Sequence, residues 1–149
     1  MKENAVKGTV TITAAALSVY FKALAIPLIV LVAVMAIDYF TGMAKAKCNS
    51  ELSSRIGIKG IIKKVCYLVL VCVGIGVDFL ITYTAEYFGI NLGFKAFFSI
   101  LISVWLIINE LISILENIST LGVPVPGFLT KIIDKLKVTV ETKGGDDDV

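Results

Sequence analysis

Three long apolar runs dominate this chain, and each is broken by a single carboxylate. Between Ala23 and Ala44 the only charge is Asp38, from Val65 to Ala85 it is Asp78, and from Ala96 to Leu115 it is Glu110. Runs of 22, 21 and 20 residues can each cross a bilayer core of about 30 Å as a helix. The pattern predicts an all-α integral membrane protein with three transmembrane helices at 23–44, 65–85 and 96–121, the last with a polar extension past Leu115. A basic connector, 45–64, joins the first two, and a short loop, 86–95, joins the second and third. Ahead of them, 1–22 reads as an amphipathic segment lying on the interface. Val10 to Lys22 would set Leu17 and Phe21, with Leu24 beyond, on one helical face, and the uncharged run from Gly8 to Phe21 is too short to span. Pro27 predicts a break between that segment and the first crossing, because the residue before proline is pushed out of helical geometry. Gly122-Val-Pro-Val-Pro-Gly127 stops the third helix. Within 122–143, Phe128 to Val138 predicts a second amphipathic helix, and 144–149 is an acidic, solvated tail.

The carboxylates belong to polar stripes. On the third helix Ser99, Ser103, Glu110, Ser113 and Asn117 recur at helical spacing; on the second Gly74, Asp78, Thr82 and Glu86 follow at steps of four; on the first Asp38, Thr41, Gly42 and Lys45 make a shorter patch. Ionised groups at such depth cost at least about 2.5–3.5 kcal/mol each on insertion scales. Two roles fit the stripes, glue for a compact bundle or a seam between copies that later lines an opening. From their positions along each run, Asp38 and Glu110 share one layer and Asp78 stands in another, deepest and least tolerant of substitution.

Composition agrees with a membrane protein: 57% of residues are hydrophobic and mean hydropathy is +0.90. Lys45, Lys47, Arg55, Lys59, Lys63 and Lys64 crowd the first connector against Glu51 alone. By the positive-inside rule that connector is cytoplasmic, which places the N-terminus outside and the C-terminus inside. Ser53 or Ser54 can cap a helix beginning near Arg55, from which Lys59, Lys63 and Lys64 would reach anionic headgroups as a membrane-surface anchor. The chain has no histidine, and Cys48, Cys66 and Cys72 have neither disulfide nor metal spacing. With no phosphate loop or nucleophile elbow, no catalytic residue, cofactor, metal or nucleic-acid partner is expected.

Asp38-Tyr-Phe-Thr41-Gly42, Leu52-Ser53-Ser54, Gly57-x-x-Gly60-x-x-Lys63-Lys64, Asp78, Asn109-Glu110-x-x-Ser113-x-x-Glu116-Asn117 and Gly122-Val-Pro-x-Pro126 together resemble the phage holins of the toxin-secretion/phage-lysis family. The likeness runs in order from about Leu31 to Leu129; the N-terminal segment and acidic tail fall outside it. It implies a non-enzymatic homo-oligomer in the bacterial cytoplasmic membrane whose lesions release an endolysin or large toxin without a stable complex. A small ion or proton-coupled channel or transporter using the carboxylates as a relay is the alternative from another class.

Overall fold

The computed structural model describes residues 2–51, 53–94 and 96–145, with side chains between 22 and 142 except at 52 and 95. It is all-helical: α1 (Lys2–Cys48), α2 (Ser54–Tyr87), α3 (Phe97–Thr120) and α4 (Gly127–Gly145), with no strand among the described residues. Three helical segments are long and apolar enough to cross a membrane, Lys22–Cys48, Ser54–Tyr87 and Phe97–Thr120. The tail from Asp146 onward, and the side chains that would make an apolar face before Lys22, lie outside the described residues.

The break expected before Pro27 is absent, because α1 runs through it without interruption. Proline costs the helix one N–H and crowds the carbonyl four residues back, a local penalty of about 3 kcal/mol. Opening the chain there would expose several backbone groups at once, each costly in apolar surroundings, so continuing the helix is the cheaper arrangement. At 1.5 Å per residue α1 is about 70 Å long, more than twice a bilayer core.

Ser53 starts α2 as its N-cap, its hydroxyl accepting from the Ile56 N–H at 3.4 Å. At the other end Gly89 takes a left-handed φ of 73° and closes the turn. Gly122, with φ 86°, does the same after α3. The two prolines that follow let the chain reverse, so α4 returns along α3 as far as Trp105, whose indole N–H donates to Glu141 at 3.0 Å.

Helix α3 is the centre of the bundle, packed against α1, α2 and α4, while α1 and α2 touch each other only lightly. The core is Leu24, Leu31, Val34 and Met35 of α1, Val71 of α2, and Ala96 and Leu106. Ile26, Ile29, Phe40, Val69, Val73, Phe79 and Leu80 point outward and suit lipid.

Helices α2 and α3 come closest at Gly74. A Cβ there would lie 2.8 Å from the Ile102 side chain and 3.0 Å from the Ser99 Cα. Gly74→Ala is therefore expected to destabilise the bundle by about 1–3 kcal/mol, because backbone has to move. Gly76, with nothing within 4 Å of its Cβ position, is the control; alanine there gains up to about 1 kcal/mol of helix propensity. Thermal unfolding in detergent micelles, followed by far-UV circular dichroism, separates the two.

Candidate functional site: two buried polar layers

The first layer is built on Asp78, which is buried on the α3-facing side of α2. One carboxylate oxygen accepts from the Phe98 N–H at 2.8 Å, and the other from the Ser99 N–H at 2.9 Å and from the Ser99 hydroxyl. These amides belong to the first turn of α3, where no intrahelical acceptor exists, and Ala96 at the N-cap has no side chain to supply one. Asp78 thus caps a neighbouring helix, and its negative charge faces the positive end of that helix dipole. Ser103 closes on its own helix, donating to the Ser99 carbonyl at 2.7 Å.

The second layer joins three helices around one ammonium group. Lys64 Nζ of α2 donates to Asp38 Oδ2 of α1 at 2.9 Å and to Glu110 Oε2 of α3. Asn117 donates from Nδ2 to the other oxygen of Asp38 at 3.1 Å and to the Thr41 hydroxyl at 3.3 Å, while that hydroxyl donates to the Asp38 carbonyl. Gly42 brings α1 close, its Cβ position being 3.6 Å from Asn117 Nδ2. The Glu110 side chain is 1% exposed and those of Lys64 and Asp38 13% and 14%, so all three charges are largely withdrawn from solvent. Removal from water is costly for each and is offset only by close pairing. Glu110 Oε1 is buried with no hydrogen-bond partner among the described residues. Eleven residues of α3 separate Ser99 from Glu110, placing the layers about 16 Å apart. Leu31, Val71 and Leu106 fill the space between with apolar side chains.

The sequence-selected residues therefore fall into groups. Gly74, Asp78, Ser99 and Ser103 meet at the first layer; Asp38, Thr41, Gly42, Glu110 and Asn117 meet at the second. Ser113 is half-buried on α3. Thr82 stands apart, lining with Glu86 and residues 89–92 an open cavity of about 370 Å³ beyond the first layer. Lys59 and Lys63 are exposed, with the Lys63 ammonium 5.4 Å from the centre of the Tyr67 ring. Lys64, expected with them at the headgroups, turns inward instead, where Asp38 and Glu110 of two other helices both lie within reach of its ammonium. Its signal was available: Lys64, Val71 and Asp78 lie at successive steps of seven on α2, so the buried face of that helix extends back to the lysine.

A family model described as the bacteriophage holin family matches residues 15–138. The chain belongs to the bacteriophage holin family. An uncharacterized protein of Clostridium perfringens strain 13 is 38% identical to this holin-family chain over 116 residues, 78% of each chain. A 14.9 kDa C. perfringens protein named for the nagH 3′ region is 39% identical over 116 residues, 78% of this chain and 80% of its own. An uncharacterized protein of Halalkalibacterium halodurans is 34% identical over 135 residues, 91% of this chain and 96% of its own. No solved structure matches. Both polar layers lie within the matched region, which also takes in α4 as far as Val138.

Proposed function

We propose that this holin-family chain accumulates in the bacterial cytoplasmic membrane, N-terminus outside and C-terminus inside, and there self-assembles into lesions that release a wall-degrading endolysin or a large toxin. The observation that carries the reading is the pairing of intramembrane carboxylates inside one chain of a holin-family protein. With Asp78 on the first turn of α3 and Asp38 and Glu110 on Lys64, a single copy turns its polar groups inward and presents apolar side chains to lipid. That is a form suited to harmless accumulation. The same stripes, Asp38, Thr41, Gly42, Gly74, Asp78, Thr82, Ser99, Ser103, Glu110, Ser113 and Asn117, serve as seam and lining when copies exchange internal polar contacts for contacts with one another or with water. Lys59 and Lys63 meet anionic headgroups at the basic end.

Inducible expression in bacteria tests this. The expected result is a delayed, abrupt loss of viability, with lysis only when a wall hydrolase is co-expressed. Indefinite, tolerated accumulation overturns it, and so does an ion-selective conductance that never passes folded protein, the signature of a small channel.

A further inference from the structure

Helix α4 uses only one edge of its apolar surface against α3. Ile133 is buried there, while Phe128, Ile132 and Leu136, at successive steps of four, remain 65%, 51% and 50% exposed. Lys131 and Lys135 border that stripe on one side and Lys137 borders the apolar arc on the other, whereas Asp134 and Glu141 occupy the opposite, polar side. Lysines at both margins of an apolar arc, with acids farthest from it, match a helix lying flat on an anionic bilayer, its stems buried and its ammonium groups among the headgroups. The docked position makes a poor match with lipid. Along α3, from the cavity lined by Ile112, Leu115 and Asp134 up to the Trp105–Glu141 bond, α4 carries five ionisable side chains beside an apolar span. Each such group disfavours insertion roughly a hundredfold at the centre of a span.

We infer that α4 is a membrane-surface helix whose second seat is an anionic phospholipid leaflet, reached by swinging away from α3 about the Gly122–Gly127 turn so that Phe128, Leu129, Ile132, Ile133 and Leu136 enter the leaflet together. The partner is the lipid surface next to the basic end of the bundle, and the inference holds whether or not the chain opens lesions.

The test uses the full-length chain with Cys48, Cys66 and Cys72 replaced by alanine and an environment-sensitive dye on Phe128→Cys, Ile132→Cys or Asp134→Cys. The protein is reconstituted into vesicles of phosphatidylcholine alone or mixed with phosphatidylglycerol. In the anionic vesicles the dyes at 128 and 132 are expected to shift to the blue and lose access to a soluble quencher, while the dye at 134 stays wet. Trp105 emission is expected to change in step as Glu141 departs. Each lysine contributes about fivefold to surface partition, so Lys131→Gln with Lys135→Gln shifts it roughly 25-fold back. Unchanged Trp105 emission with equal dye exposure in both vesicles overturns the inference. Shielding that follows protein density and ignores lipid charge also overturns it, since a second copy would then be the occupant. Far-UV circular dichroism of each variant separates lost folding from lost partition.

Discussion

Replacing Lys64 with methionine is expected to destabilise the bundle by about 3–5 kcal/mol, the cost of leaving a buried ion pair without one partner. Two carboxylates depend on this ammonium; Glu110 is fully withdrawn from solvent and Asp38 keeps only a small part of its surface in contact with it. Methionine keeps most of the stem's packing and removes only the charge, so the loss reports on electrostatics. The diagnostic is the second substitution. Lys64→Met combined with Glu110→Gln removes the more deeply buried of the two stranded charges along with the cation, and should recover part of the stability lost in Lys64→Met alone. The coupling expected from such a cycle is on the order of 1–3 kcal/mol. Thermal unfolding of the four proteins in detergent micelles measures it. Strict additivity would mean that Lys64 and Glu110 do not act on one another.

Asp78→Ala is expected to be the next most damaging change, at about 2–5 kcal/mol. It strands the Phe98 and Ser99 amides in a buried helix start, each worth about 1–3 kcal/mol when left unpaired. Asn at 78 keeps one acceptor oxygen and should fall between, whereas Ser99→Ala loses only the hydroxyl contact, at about 1 kcal/mol. Amide hydrogen exchange distinguishes a lost cap from general loosening. Exchange at Phe98 and Ser99 should accelerate well before that at Leu106, which sits in the middle of the core.

The three long apolar helices were legible in the sequence because hydrocarbon imposes a length and a composition that soluble folds do not. The separation of Asp78 from Asp38 and Glu110 followed from counting residues along each run. Pro27 misled because its local bias is set against the cost of a broken backbone in apolar surroundings, a cost that only the whole helix reveals. Lys64 misled for a related reason. It lies one residue before an apolar run, where lysines ordinarily reach outward, and its inward turn depends on carboxylates supplied by two other helices. The capping of α3 by Asp78 was hidden in the same way: nothing near Ala96 in the sequence announces an acceptor, because the acceptor comes from α2.

Lys64 and Asp78 project from one continuous helix, fourteen residues and about 21 Å apart. Helix α2 therefore fastens to its neighbours at two points on a single stiff rod, and a small rotation of that rod strains both fastenings together. Such a joint does not loosen gradually. It is expected to hold until both ends release, so separating α2 from its neighbours should meet a high barrier and have a rate that climbs steeply with temperature.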